Sequence, residues 1–216
     1  MVQMKYPVFI QALALTIVVF LIGMYSGVYM EQGRYTEMNE YSTQSEVSLM
    51  DILALNNLIG SEDIDCETLE RVNFEFMDRV YNEAIILEEY EESGRVTENL
   101  KSFHKKYDVL RTFLWINTIE TKKMCNSEYS TIVYLYNYEE EDLSKQATQN
   151  VWSKVLYEVK ERNKNVLLIP IARDTDLGSL ETLIADYNIG EFPAVIVNEK
   201  DVLLDSFTVE DIEKLL

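Results

Sequence analysis

The chain has 216 residues, 47% of them hydrophobic, and carries 38 acidic against 19 basic side chains for a net charge of −19. A surface this negative repels nucleic-acid phosphates and anionic lipid headgroups, which excludes a nucleic-acid-binding reading. With only three prolines and seven glycines, long flexible linkers are excluded as well.

The first element in chain order is apolar. Pro7 to Tyr29 is a run of 23 residues without a charged side chain, and Gln11 is its one strongly polar member. About 20 apolar helical residues cross a bilayer core, so residues 7–29 read as a transmembrane helix in contact with lipid. Lys5 ahead of an apolar run also suits a cleaved signal peptide, but the run exceeds the usual signal core and no small-x-small cleavage site follows it. Tyr25, Tyr29 and Tyr35 stand where an interfacial aromatic belt would lie. Lys5 occupies a short flank with no acid, whereas Glu31, Arg34, Glu37 and Glu40 mix on the other side. The positive-inside rule then predicts a single-pass protein of the cell membrane, N-terminus cytoplasmic and everything beyond residue 30 extracytoplasmic. All the acidic residues fall in that second part, which carries a charge of −20. Gly23 and Gly27 form a small-xxx-small spacing through which two copies can dimerise, although glycine is also common in membrane helices.

Residues 31–128 predict a stalk followed by a small helical bundle. Residues 30–41 are polar and tyrosine-bearing, suiting a stalk or a helix continuing out of the bilayer. From about Ser42, Val47, Met50, Leu53 and Leu58 mark an apolar stretch ending near Gly60, and Ser61-Glu62-Asp63 reads as a turn. From Cys66 to Glu92, Leu69, Val72, Phe76, Val80, Ala84 and Leu87 recur at three- and four-residue steps, one face of a helix that Ser93-Gly94 ends. A further helix runs from about Thr97 toward Cys125, with Leu100, Phe103, Tyr107, Leu110 and Leu114 in one stripe. Helices of this length gain most of their stability by burying such a face.

The remaining segment, residues 129–216, changes period. Thr131 to Tyr136 is rich in β-branched and aromatic residues, as strands are. Asp142 to about Arg162 is predicted helical, with Ala147, Val151, Val155 and Val159 along one face. Asn165 to Ala172 is a continuous apolar strand of the kind buried on both faces, although Pro170 within it prefers an edge. Leu177 to Tyr187 follows as a short helix. Pro193 to Val197 and Val202 to Phe207 are strands joined through Asn198-Glu199-Lys200-Asp201. Thr208 can cap a last helix with Glu210 and Asp211 in its first turn.

Two strands joined by a helix, then Tyr187-Asn188-Ile189-Gly190-Glu191-Phe192-Pro193-Ala194-Val195-Ile196-Val197, a hairpin and a closing helix, resemble the thioredoxin-like fold family. The resemblance covers about two-fifths of the chain. It implies an α/β domain of βαβαββα order and a cis-proline at Pro193; by residue type alone Pro193 reads as a trans proline opening an edge strand. The family's oxidoreductases carry Cys-x-x-Cys at the start of the first helix, where the helix dipole lowers a thiol pKa. Here Glu140-Glu141-Asp142-Leu143 stands in that place, and carboxylates cannot exchange disulfides. More loosely, the layout resembles membrane-anchored archaeal proteins in which a helical segment with flanking cysteines precedes a thioredoxin-like domain.

Cys66 and Cys125, the two cysteines, bracket the second and third helices. In an extracytoplasmic bundle an even pair reads as a disulfide, closing a loop of about 60 residues for about 4 kcal/mol on the chain-entropy model; a redox-active pair is the alternative. Glu139 to Asp142, with Glu158 or Asp174, offer oxygen ligands for a hard cation or simply a solvated helix start. His104, off the apolar stripe of its helix, reads as a surface residue, and Trp115 and Trp152 as packing residues. No zinc spacing, phosphate loop, nucleophile elbow or cofactor motif occurs, and no catalytic set is expected. By the resemblance, Tyr138, Glu140, Glu141, Asp142, Phe192, Pro193 and Ala194 line a groove that receives an extended polypeptide. The expected function is a membrane-anchored, redox-inactive, chaperone-like protein-binding module. The alternatives are a thiol–disulfide assistant working through Cys66 and Cys125, and a structural subunit of a membrane complex.

Overall fold

A computed structural model describes residues 6–58, 66–92, 98–205 and 208–216. The predicted turn at Ser61-Glu62-Asp63, the helix end at Ser93-Gly94, the helix start at Thr97 and the strand end at Phe207 lie outside them. By its internal packing the chain divides into two units, residues 1–43 and 44–216.

The first unit is helical from Tyr6 onward. Helix α1 (Tyr6–Leu58) runs through it without a break, so the polar residues 30–41 are helical. Its segment Val8–Met30 has a mean hydropathy of 2.4 and is unburied among the described residues; it is long and apolar enough to span a membrane. Within it the Thr16 hydroxyl donates to the Ala12 carbonyl at 2.9 Å, which satisfies that polar group within the helix itself.

The second unit opens with three helices. The end of α1 lies against α2 (Cys66–Glu92) and α3 (Glu98–Cys125). Most of the apolar stripes read from sequence is buried: Leu69, Phe76, Val80 and Leu87 on α2, with Val72 and Ala84 half-buried, and Leu100, Phe103, Tyr107, Leu110 and Leu114 on α3. On α1 it is Leu49 and Ile52 that are buried, while Val47 and Met50 stay exposed. Polar ties set the register. Asn73 donates to Thr121 at 3.0 Å and accepts from Asn117, and Ser45 donates to Glu83. The asparagine pairs make α2 and α3 antiparallel, and Cys66 at the start of α2 meets Cys125 at the end of α3 as a disulfide with a Cα separation of 5.6 Å.

A four-stranded mixed sheet follows, ordered β2-β1-β3-β4. Strand β1 (Ser130–Tyr136) pairs parallel with β2 (Val166–Ala172) and antiparallel with β3 (Ala194–Val197), which pairs antiparallel with β4 (Asp201–Leu203). Helix α4 (Leu143–Arg162) links β1 to β2, α5 (Gly178–Asp186) precedes β3, and α6 (Val209–Glu213) closes the chain. Side chains alternate across the sheet. On one face Ile132, Tyr134, Val195 and Val197 form a core with Trp152, Leu156 and Val159 of α4 and Ile212 of α6. The other face, including Val133, Leu135, Leu167, Ile169 and Ile196, is also buried, and α3 lies against β2.

Two sequence expectations are corrected. The buried face of α4 is Trp152, Leu156 and Val159, whereas Ala147 is exposed and Val151 is 50% exposed. The valines mark a weaker stripe one position away, and the indole of Trp152 buries more area than a valine, so it sets the rotation of the helix. Strand β4 is shorter than predicted, three residues from Asp201. Pro170 fits because β2 is an edge strand. The Ala172 N–H turns outward to α3, and Pro170, two residues earlier and facing the same way, has no N–H to leave unpaired.

Candidate functional site

The loop from Asn137 to Asp142 joins β1 to α4, and carboxylates hold it together. Asp142 caps α4, accepting from the N–H groups of Ser144 at 2.8 Å and Lys145 at 3.4 Å. This places a negative charge on the positive end of the helix. Glu140 accepts from the Asn137 side-chain amide at 2.7 Å and the Asp142 N–H at 3.1 Å, which together hold its carboxyl below the ordinary range. Asp174 uses one oxygen for the Tyr138 N–H at 2.8 Å and the other for the Glu139 N–H at 2.9 Å.

These pairings bear on the hard-cation reading. Asp174 is aimed at backbone donors, Glu139 pairs with Lys101, and Glu158 sits on α4 with Arg162. Among the described residues no group of three or more His, Cys, Asp or Glu side chains is placed to hold a metal ion.

Across from this loop the Phe192–Pro193 peptide bond is cis. Pro193 is buried and Ala194 pairs with Leu135 in the sheet. Phe192 is partly exposed, and the Arg173 guanidinium lies over its ring, 4.7 Å from the centroid. Arg173 also donates from Nε to Asn137 Oδ1 at 3.1 Å. One cation therefore ties the residue ahead of β3 to the loop that caps α4. Of the groove residues read from sequence, Glu140, Asp142 and Phe192 come together here through Asn137 and Arg173. Glu141 is exposed, and Pro193 and Ala194 are too buried to offer side-chain surface. Sequence reading missed Arg173 and Asn137. Their signal was faint: one basic residue in an acidic stretch and one amide after a strand.

Tyr138 turns elsewhere. Its ring stacks on His104 with centroids 3.9 Å apart and planes at 27°. His104 is only 6% exposed, which corrects the surface assignment. Its Nε2 lies 3.3 Å from the Tyr136 hydroxyl and 3.5 Å from Asp108 Oδ2. Asp108 is buried completely, 3.5 Å from Arg111. Burial pushes its carboxyl up, against the opposing pull of Arg111, His104 and the Ala172 N–H. His104, Asp108 and Arg111 recur at steps of four and three, a polar stripe on α3 that looks like a solvated face. It is covered instead by the ends of β1 and β2, because α3 packs on two sides. Trp115 and Trp152 are both buried, Trp115 stacking on Tyr187 at 5.4 Å, as packing residues do.

The chain matches no protein-family model, and no curated protein matches it significantly.

Proposed function

We propose that this is a membrane-anchored, thioredoxin-like protein that binds polypeptide and performs no thiol chemistry of its own. The observation that carries the reading is the junction of Phe192, Arg173 and Asn137 at the carboxyl end of a sheet ordered β2-β1-β3-β4. The helix start at Asp142 and the cis-proline segment before β3 support the thioredoxin-like reading. Asp142 occupies the helix start with a carboxylate, so the site has charge and a half-exposed aromatic but no nucleophile. An extended segment lying beside residues 190–192 would be held by main-chain hydrogen bonds, with Phe192 and Arg173 selecting its side chains. Arg173 favours an acidic or aromatic residue at that point.

The Val8–Met30 segment anchors the protein, with Gly23 and Gly27 open to a second helix; a Cβ added at either would touch nothing within 4 Å. An extracytoplasmic position for residues 44–216 is supported by the Cys66–Cys125 disulfide, a bond that persists in oxidising compartments. The disulfide joins the two ends of a helical hairpin, which suits a staple.

Crosslinking in intact cells followed by mass spectrometry tests the binding reading. Phe192→Ala with Arg173→Ala lowers recovery of captured polypeptides at least several-fold while membrane insertion stays the same. Equal recovery from this variant and the parent protein overturns the groove, and recovery of one fixed partner in stoichiometric amount identifies a structural subunit instead.

A further inference from the structure

A cavity of about 350 Å³ lies between α2, α3, α4 and the carboxyl ends of β1 and β2. Ligand pockets run from about 300 to 1,000 Å³, so it is the size for a small molecule. Tyr81, Tyr134, Tyr136, Tyr138 and Tyr157 line it. Tyr134 and Tyr136 are near-parallel at 5.4 Å and 20°, and Tyr138 lies nearly parallel to His104, so the aromatic wall is made of aligned rings.

Neutral polar groups stand beside the rings. Gln149 and Asn137 are committed to each other: the Asn137 N–H donates to Gln149 Oε1 at 2.9 Å, and Gln149 Nε2 donates to the Asn137 carbonyl at 3.1 Å. Asn150 and Ser153 differ. They also line the cavity, three residues apart on one face of α4, and their side chains bond to no described residue.

The lining selects by charge. Among the described residues no carboxylate lines the cavity, Arg111 is in its wall, and the Lys160 ammonium already lies over Tyr81, 4.6 Å from the ring centroid. A cationic ligand would meet these two positive groups and no carboxylate of the described lining. An anionic ligand would find Arg111 already facing Asp108 on a chain of net charge −19. An alkyl chain would strip water from Asn150 and Ser153 and return no hydrogen bond. A neutral ligand with hydroxyl groups for the amide and hydroxyl side chains, and C–H faces for the tyrosine rings, suits both the polar and the aromatic parts of the described lining. We infer that this cavity is a binding site for a short neutral saccharide. It adjoins the Phe192 groove only at Asn137 and Tyr138 and does not depend on that groove's function.

Saturation-transfer NMR on the full chain, held in a sugar-free detergent, tests the site. The probes are glucose, galactose, mannose and N-acetylglucosamine with cellobiose, lactose and chitobiose. At least one gives a saturable signal, strongest at the C–H protons of one ring face. Asn150→Leu with Ser153→Leu, both exposed and free of structural bonds, weakens that signal about tenfold, as does Tyr157→Ala, whereas Phe192→Ala leaves it unchanged. The site is overturned if no sugar saturates at about 10 mM, if the α4 substitutions change nothing, or if tetramethylammonium or N-acetyltyrosinamide binds there more tightly than any sugar.

Discussion

Asp108, in the middle of α3, accepts a hydrogen bond at 3.0 Å from the backbone N–H of Ala172, the last residue of edge strand β2. A helix of the bundle thus completes the hydrogen bonding of the sheet. The same carboxylate faces Arg111 and His104, each at 3.5 Å. Edge strands expose unpaired donors that invite other chains; here one donor goes to Asp108 and Pro170 removes another.

Asp108→Ala leaves the Ala172 N–H unpaired and Arg111 buried without a counter-charge. Removing one partner of a buried pair costs about 3–5 kcal/mol. Denaturant unfolding of a fragment spanning residues 44–216 measures it. Asp108→Asn keeps an acceptor for the Ala172 N–H and loses less; equal losses in the two variants would assign the whole effect to charge.

Reduction of the Cys66–Cys125 disulfide, or the double change to serine, releases a loop with a sequence separation of 59. The chain-entropy model assigns such a loop about 4 kcal/mol. Thermal unfolding with and without reductant reads the loss directly. A drop well under 1 kcal/mol would mean that the polar ties at Asn73 and Thr121 already hold the hairpin closed.

The pH dependence has two opposite limbs. Burial raises the carboxyl pKa of Glu83, beside Ser45, Tyr107 and Arg79, as it raises that of Asp108. Each folded-state pKa lies above its unfolded value near 4, so the folded state binds the proton more tightly. Stability from these groups rises as pH falls through the raised values toward about pH 4. Asp211 is the reverse: Lys214 and Thr208 hold it down to about 2. Its contribution is present above the unfolded pKa and is lost as pH falls from about 4 toward about 2. Unfolding free energy measured from pH 7 downward therefore climbs before it falls. Glu83→Gln flattens the climb, and an unchanged slope in that variant would exclude Glu83 as its source.

The elements were legible wherever one side chain pattern had one cause. The stripes of α2 and α3 and the Thr208 cap with its reciprocal Asp211 bond follow from local periodicity or capping chemistry. Sequence reading failed where a residue serves two neighbours. His104 and Asp108 sit off the stripe that packs on α2, and the second neighbour is a sheet more than 20 residues further on. Val151 was misplaced because a valine repeat at steps of four outweighed the larger Trp152 beside it. At the candidate groove the loop and Phe192 were readable from their resemblance, but Arg173, which joins them, belongs to no pattern in the chain.

Asn198 opens the β3–β4 turn with φ 50°, followed by Glu199 at 56°. Two consecutive left-handed residues suit a hairpin turn, and asparagine tolerates the first position. Its side chain also ties three segments together: Oδ1 accepts from the Thr131 N–H at 3.0 Å and Lys122 at 3.2 Å, while Nδ2 donates to the Leu215 carbonyl at 2.9 Å. Two separable costs follow. Asn198→Ala loses the hydrogen bonds and places a Cβ-bearing residue with no compensating side chain in the left-handed region, for about 2–3 kcal/mol. Asn198→Gly loses the same bonds without the backbone cost and recovers about 1 kcal/mol of it. Asn198→Asp keeps the acceptor for Thr131 and Lys122 but sets a carboxylate against the Leu215 carbonyl. Chemical unfolding of the three variants ranks them, with glycine above alanine. Alanine equal to glycine would show that the turn relaxes out of the left-handed region, and that the bonds to β1 and the carboxyl end are the whole of what Asn198 contributes.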